Sequence, residues 1–312
     1  MALKYLDGLF GFVIGDIMGQ VSKNKTREEL LKNPITKMVA EEKYNLPIGT
    51  WSDETSLTLA TIDSINNKFL IDLNDIALKF SAYKNHGHYT ATNEIFDMSR
   101  VTSIAIDKYD EDRTNPTNCG LDSENSNDSN SLTRMLPIAY YAIERKLKDT
   151  EIIEIVKEVS SITHANEVSI MGCYIYVRLL MFLLNDKDKL SAYSMTKCVD
   201  YSMFSEETQN AYNRIIKEDI NKYKLSDIKS EDQIINVLEA AIWVFLKSEN
   251  YREAVIGAIN LGNATDAIGA ITGSLAGINS GYDFIPEEWL DQVQKKDYLL
   301  DIFEEFSENK YE

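Results

Sequence analysis

The chain has 312 residues, 44% of them hydrophobic and 26% charged, which is ordinary for a globular protein. Its formal charge of −18 excludes nucleic acid as an expected partner, because phosphate contacts need clustered Lys and Arg. No run approaches the roughly 18 apolar residues of a membrane span, so we expect a cytoplasmic protein without a membrane partner. Three cysteines without a CxxC spacing predict neither a disulfide framework nor a structural zinc site.

Helical periodicity dominates the chain from its beginning. The segment MALKYLDGLFGFVIGDIMG predicts a buried helix rather than a signal peptide, because acids flank its apolar run and no strong basic segment is present. Further helices are predicted over 55–68, 73–85, 132–147, 151–161, 167–185 and 289–307. An apolar stripe at helical spacing is formed by Ile234, Val237, Leu238, Ala241, Ile242 and Phe245. Strand patterns are scarce, so the expected fold class is all-α, with one domain over residues 1–312.

Two polar segments interrupt the helical pattern. Residues 109–131 are rich in Asn, Asp and Ser, which favour turns, and a loop of this length is usually functional or disordered. Residues 200–232 form a charged insertion that carries Tyr and Lys, for which we predict a solvated helix.

The first segment whose residues could form a functional site is GTWSDET at 49–55, directly before a helical run. Helix N-termini carry partial positive charge and unpaired N–H groups, so they tolerate acids. Capping by Ser52 or Asp53 therefore accounts for the polar residues, but it does not explain the preceding Gly-Thr-Trp.

The second segment, NLGNATDA at 260–267, places Asp266 at another helix start. The helix that follows has Gly269, Gly273 and Gly277 at intervals of four, which predicts close approach to a neighbouring helix. Two acidic helix starts could hold a hard cation between them, and Mg²⁺ prefers oxygen ligands.

These segments belong to a wider resemblance. The chain resembles the ADP-ribosylglycohydrolase family, which includes dinitrogenase-reductase-activating glycohydrolases and ADP-ribosyl-acceptor hydrolases. The matching elements are GLFGFVIGDIMG (8–19), GTWSDET (49–55), FDMS (96–99), NSLTRMLPIA (130–139), ITHANEV (162–168) and the block from 241 to 277. Six elements in the expected order are a far more specific signal than any one of them.

The resemblance implies an orthogonal helical bundle in which ADP-ribose lies over Mg²⁺ ions. Ser52, Asp53 and Glu54 match the family's first ligand triplet, and Asp266 matches an acid of its second ligand element. Asp97 matches an acid that holds or activates water, so Asp97 and Asp53 are the expected catalytic residues.

The resemblance also indicates which residues contact the substrate. They are Gly87, His88, Tyr89, Asn130, Arg134 and His164. Three alternatives stay open: Arg134 could pair with an acid rather than a pyrophosphate, His164 could cap a helix or bond a carbonyl, and Tyr89 could stack on adenine. The pair His86 and His88 is more typical of a solvent-exposed loop than of a zinc site.

The chain departs from the family pattern at the cation site. Ala264 and Ala267 stand where the family has a ligand Asp and a Thr, and Glu54 stands where Asp is usual. Lys23 aligns with a carboxylate on the substrate side. These changes predict one ion rather than two, either Mg²⁺ or Mn²⁺.

Three functions fit these observations. The leading hypothesis is a Mg²⁺-dependent hydrolase that removes ADP-ribose from a modified protein or small molecule by cleaving the glycosidic bond at ribose C1″. The alternative is a catalytically impaired relative that binds ADP-ribose or an ADP-ribosylated partner without hydrolysis. A structural descendant is disfavoured, because packing alone has no use for clustered acids.

Overall fold

The computed structural model describes residues 5–41, 43–113 and 115–308. Within these ranges the regular elements are helices, joined by turns and a few isolated β-bridges, so the predicted all-α fold class is confirmed. The α-helices are α1 (Tyr5–Gln20), α2 (Arg27–Lys32), α3 (Asp53–Lys68), α4 (Leu73–His86), α5 (Arg100–Glu111), α6 (Asn130–Thr133), α7 (Leu136–Glu144), α8 (Asp149–Ser161), α9 (Glu167–Leu184), α10 (Lys189–Lys197), α11 (Glu206–Ala211), α12 (Asn213–Ile216), α13 (Ile234–Lys247), α14 (Tyr251–Ile259), α15 (Thr265–Ser280), α16 (Glu287–Leu290) and α17 (Lys296–Glu308). Single 3₁₀ turns span Pro116–Asn118, Ile220–Lys222, Leu225–Asp227 and Tyr282–Phe284.

Helices α1 and α15 cross with their backbones in direct contact. A Cβ atom added at Gly15 would lie 2.0 Å from the carbonyl oxygen of Gly269, and one added at Gly273 would lie 2.1 Å from that of Gly11. The close approach predicted from the glycine repeat of α15 is therefore confirmed, with α1 as its neighbour. At the end of the crossing, Gly19 meets the backbone of Thr265, which brings the C-terminal end of α1 to the N-terminal end of α15.

Helix α9 is the apolar centre of the other half of the fold. Its length and its mean hydropathy of 1.7 would suit a membrane span, but 72% of the helix is buried inside the molecule. It packs against α7, α8, α10 and α13, as the core helix of a helical bundle does.

The prediction of a solvated helix over 200–232 is wrong. The segment forms two short helices, α11 and α12, and two 3₁₀ turns rather than one long helix. Most of its apolar residues are buried between the charged ones, and Tyr212 donates a hydrogen bond to the carbonyl of Val168 at the start of α9. Apolar anchors at irregular spacing hold the segment down, and that spacing carries no helical signal.

Two of the predicted helices are each divided in the structure. The segment 132–147 contains α6 and α7, and Pro137 stands in the first turn of α7, where its missing N–H costs nothing. The segment 289–307 contains α16 and α17, with Lys295 in the left-handed region at φ 46° just before α17.

Candidate active site

A cleft of about 340 Å³ opens where the end of α1 meets the starts of α3 and α15. This volume lies within the usual range of ligand sites. The cleft is lined by Lys23, Asn24, Lys43, Tyr44, Asp53, Glu54, Asp97, Met98, Ser99, Arg100, Asn130, Asp232 and Asp266. It therefore collects predicted site residues from four separate parts of the chain.

The start of α3 combines capping with a buried acidic pair. Ser52 is the N-cap, and its hydroxyl accepts a hydrogen bond from the backbone N–H of Glu54. Asp53 and Glu54 form the first turn and are almost fully buried, at 3% and 4% exposure. The positive end of the helix stabilises these acids, so the predicted capping role is confirmed alongside the expected site role.

Asp16 of α1 holds the start of α3 in place. Its carboxylate accepts hydrogen bonds from the backbone N–H and hydroxyl of Ser52, and from the backbone N–H and hydroxyl of Thr55. Burial raises the pKa of Asp16 to about 6. The sequence analysis did not select Asp16, although an acid inside the apolar helix 8–19 was the available signal.

Asn130 and Thr133 hold the two acids of α3 from the other side. The side-chain amide of Asn130 donates to Asp53 Oδ2 at 3.0 Å and to Glu54 Oε2 at 3.1 Å, and the Thr133 hydroxyl also donates to Glu54 Oε2. Burial raises the pKa of Asp53 to about 7 and the pKa of Glu54 well above its usual value. Asn130 was expected to contact the substrate. In the structure its amide holds the two acids in position.

Three carboxylates converge on the floor of the cleft. One oxygen each from Asp53, Asp97 and Asp266 lies within 4.8 Å of the others. The Lys23 ammonium lies 2.5 Å from Asp97 Oδ2 and 2.5 Å from Asp266 Oδ2. Burial by itself lowers the pKa of Lys23, but the attraction of the three carboxylates raises it well above its usual range, so the side chain is a cation here.

The donor set fits one hard cation. The cluster offers only carboxylate oxygens, the ligands that Mg²⁺ prefers, and Asp53 Oδ1 is buried without a hydrogen-bond partner. The position between Asp97 and Asp266 is filled by the Lys23 ammonium, so a pair of divalent ions does not fit as well.

Other expected ligand positions are changed or committed. Ala264 and Ala267 are buried at the start of α15 and have no side-chain oxygen. The Ser52 hydroxyl donates to Asp16 at 2.6 Å, and Glu54 Oε2 accepts the bonds from Asn130 and Thr133. The metal role of Ser52 and Glu54 stays a prediction.

Arg134 and His164 lie beneath the cleft rather than on its surface. Arg134 is fully buried, donates to the Thr163 hydroxyl and lies over the ring of Phe80. His164 is also fully buried, with Nδ1 2.7 Å from the Thr163 hydroxyl and Nε2 2.9 Å from Asp128 Oδ1. Their bonds run to other protein groups, so the predicted substrate contacts are not seen and stay predictions.

Residues 115–131 of the polar segment lie against the loop before α9 and supply Asp128. Leu121 pairs with Thr163 and Ala165 through backbone hydrogen bonds. Asp128 bonds His164 through one oxygen and accepts from the Ser99 hydroxyl through the other. Burial would raise the pKa of Asp128, but His164 and the hydrogen bonds lower it overall.

The 87–89 loop lies beside the entry to α3. Gly87 ends α4 in the left-handed region at φ 67°. The carbonyl of Tyr89 accepts a hydrogen bond from the buried Trp51 indole, and the Tyr89 hydroxyl donates to Asp63. Gly87, His88 and Tyr89 are absent from the cleft lining given above, so their ligand contact stays a prediction. The bond to Tyr89 accounts for Trp51, the last residue of the Gly-Thr-Trp that capping left unexplained.

The rim of the cleft contains residues that the sequence analysis did not select. Lys43 and Arg100 are exposed cations, and the ring of Tyr44 lies 5.6 Å from that of Phe96. Asp232, from the end of the 200–232 segment, accepts a hydrogen bond from the Ser129 hydroxyl. Only the tertiary fold brings these groups together, so no local pattern indicated them.

Comparison with known proteins agrees with the family resemblance of the sequence elements. A profile of the family described as ADP-ribosylglycohydrolase matches residues 2–312. The chain is 25% identical to "ADP-ribosylarginine hydrolase Tri1" of Serratia proteamaculans (strain 568), over 97% of this chain and 78% of the relative. It is 22% identical to the ADP-ribosyl-dinitrogen reductase glycohydrolase of Rhodospirillum rubrum, over 94% and 91% of the two chains. The solved structure titled "ADP-ribosylglycohydrolase-related protein complex" superposes with a TM-score of 0.81 at 19% identity, covering 98% of each chain, which shows a shared fold.

Proposed function

Since the chain belongs to the ADP-ribosylglycohydrolase family and is a hydrolase of glycosidic bonds, we propose that it releases ADP-ribose from ADP-ribosylated arginine. The bond broken is the N-glycosidic bond between ribose C1″ and the guanidinium nitrogen. The similarity to two relatives named ADP-ribosylarginine hydrolase supports arginine as the modified residue. The six sequence elements that indicated the family therefore also indicate its reaction class.

The observation that carries the proposal is the arrangement of charge in the cleft. Three carboxylates converge on its floor, whereas Lys43 and Arg100 are exposed at its rim. A pyrophosphate is attracted to the cationic rim, and a ribose carbon that gains positive charge in the transition state is stabilised by the acidic floor. An ADP-ribosyl group can satisfy both regions in one orientation.

Asp97 is the group placed to accept a proton from the attacking water. Its side chain is 24% exposed to the cleft, whereas Asp53 lies beneath it at 3% exposure. Water oxygen forms a bond to C1″ as the bond from C1″ to nitrogen breaks, and the water proton passes to Asp97. The substituted guanidinium leaves as a neutral guanidine and then takes up a proton, so charge and protons balance.

Asp53 contributes negative charge beneath the developing cation. Its orientation is set by Asn130 and by the backbone N–H of Ser99, both of which bond Oδ2, while Oδ1 is buried without a hydrogen-bond partner. An Mg²⁺ or Mn²⁺ ion held by Asp53, Asp97 and Asp266 would orient ribose hydroxyls and polarise the water. The role of this chain's residues is to present these oxygens in fixed geometry.

The test is release of free ADP-ribose from an arginine-ADP-ribosylated peptide, compared with a serine-ADP-ribosylated one. We expect turnover of the arginine-linked peptide, and we expect Asp97→Asn to lower kcat by about 100-fold or more, as loss of an acid–base group does. Asp107→Asn is the matched control, because Asp107 pairs with Lys84 at the surface, away from the cleft. Full turnover by Asp97→Asn would contradict the mechanism.

The second candidate function is binding without hydrolysis. It is favoured by the absence of side-chain oxygens at Ala264 and Ala267 and by the cation at Lys23. Binding of ADP-ribose by calorimetry without turnover of either peptide, with or without Mg²⁺ and Mn²⁺, would indicate this function instead.

A further inference from the structure

Lys23 forms ion pairs with two of the three acids of the carboxylate cluster. The side chain follows α1, at the point where the glycine crossing brings α1 to the start of α15. Its ammonium lies 2.5 Å from one oxygen of Asp97 and 2.5 Å from one oxygen of Asp266. These two acids come from opposite sides of the cleft, so Lys23 bridges them as a shared ion would.

The charge balance of the cluster favours one divalent ion beside this ammonium. With a divalent ion bound, the three carboxylates of the cluster would be ionised and carry −3, and Lys23 with that ion would carry +3, which sums to zero. Two divalent ions with Lys23 in place would leave +2 in a largely buried site. Unbalanced buried charge is costly, so the cluster matches one exchangeable ion.

A free ligand atom marks where that ion fits. Asp53 Oδ1 is buried, has no hydrogen-bond partner and belongs to the same cluster as the acids that Lys23 bridges. On the side of α15, Ala264 and Ala267 offer no oxygen that could help to hold a further ion beside Asp266. The lost ligands and the added ammonium therefore affect the same part of the site.

We propose that Lys23 is a tethered cation that takes the place of one divalent ion, leaving a single exchangeable ion position at Asp53. This proposal deepens the proposed function and rests on it for the assumption that the cluster is a cation site. One of the three positive charges that balance the cluster is therefore built into the chain, and Lys23 holds Asp97 and Asp266 together without any free ion.

The test counts bound ions in three proteins: the wild type, Lys23→Met and Lys43→Met. Methionine retains the length of the side chain without its charge. Lys43 lines the same cleft, but its ammonium bonds Tyr44 rather than an acid, so it is the matched control. Mn²⁺ is titrated into metal-free protein by calorimetry, and bound Mn²⁺ is counted independently by electron paramagnetic resonance.

We expect one Mn²⁺ per chain in the wild type and in Lys43→Met, and two in Lys23→Met. Removing a positive charge next to two ligands also tightens Mn²⁺ binding, by roughly tenfold or more. An equal count in the wild type and Lys23→Met would overturn the proposal, as would two ions in the wild type.

A second measurement covers the case in which metal-free Lys23→Met does not fold. The variant is then purified in Mn²⁺, and its metal content after gel filtration is measured by atomic absorption. Lys23→Arg keeps the charge and is expected to retain the count of the wild type. None of these counts requires substrate, so failure of the arginine-peptide assay and failure of this proposal are distinguishable.

Discussion

The crossing of α1 and α15 allows a direct test of how the fold positions the site. In Gly15→Ala, the new Cβ would lie 2.0 Å from the Gly269 carbonyl oxygen, whereas ordinary contact begins at 3.4 Å. The two helices must therefore separate by about 1.4 Å, the difference between these two distances. The carbonyl oxygen belongs to the backbone and the Cβ position is fixed by the backbone, so no side chain can rotate to make room.

The expected cost is large compared with the helix-propensity gain. Overpacking typically costs about 1–3 kcal/mol, and backbone contact places this site at the upper end, whereas Gly→Ala in a helix gains about 1 kcal/mol. We expect Gly15→Ala to lose about 2 kcal/mol or more of unfolding free energy, after that gain is subtracted.

The assay is urea denaturation at equilibrium, with Gly257→Ala as the control. Gly257 lies within α14, and its added Cβ would meet only the Val244 side chain, at 3.0 Å, so we expect little net change. The same separation would move the end of α1 away from Asp266, so Mn²⁺ binding should also weaken in Gly15→Ala. Equal urea midpoints for Gly15→Ala and Gly257→Ala would refute the reasoning.

Two further predictions concern the acids of the site. Thr133→Val removes a donor to Glu54 at nearly constant volume and should cost about 1–3 kcal/mol and weaken Mn²⁺ binding; Thr61→Val, which loses only a bond to a helix carbonyl, should leave Mn²⁺ binding unchanged. Burial raises the pKa of Asp16 to about 6 and that of Asp53 to about 7, from 3.8. The folded state therefore keeps protons that the unfolded state releases between about pH 4 and pH 7, and metal-free stability should fall as pH rises through this window. For Asp16 alone the loss is about 3 kcal/mol, and a urea midpoint that rises from pH 5 to pH 7 would contradict this prediction.

Local patterns predicted much of the fold. The helices 55–68, 73–85, 151–161 and 167–185 lie within two residues of the observed α3, α4, α8 and α9. The glycine repeat of α15 predicted a close neighbour because it is a local pattern with a packing meaning. It could not name α1 as that neighbour, since the pairing is decided by the tertiary structure.

The acids of the candidate site were predictable from the sequence, whereas the residues that hold these acids in place were not. Asp53, Asp97 and Asp266 stand in recognisable elements, and the structure brings them together. Asp16 was hidden because a single acid in an apolar helix gives no pattern until its four donors are known. For Lys23, the sequence analysis noted only that a lysine replaces a carboxylate of the family. The sequence shows this change of charge, but it does not show that the side chain reaches Asp97 and Asp266.

The same lack of tertiary information affected Arg134 and His164. Both belong to elements that match the family, and a charged residue in such an element suggests contact with the ligand. The structure instead places both under the cleft, where their polar atoms bond Thr163 and Asp128. The structure thus shows what these two residues bond within the chain, and their contact with a ligand stays a prediction.

The stability of the fold and the affinity of the site for cations are linked through the glycine crossing. Burial raises the pKa of Asp16, Asp53 and Glu54, because their ionised forms are less stable in the folded chain than in water. Ionising these acids near neutral pH therefore costs folding free energy. Lys23 offsets part of this cost without any free ion, because it is attached to the helix that the crossing holds in place. A bound divalent ion would offset more of it, so ion binding should stabilise the folded chain by an amount that grows with the ion concentration relative to the dissociation constant. A chain with this tethered cation therefore has one positive charge beside its acids before it meets a metal ion.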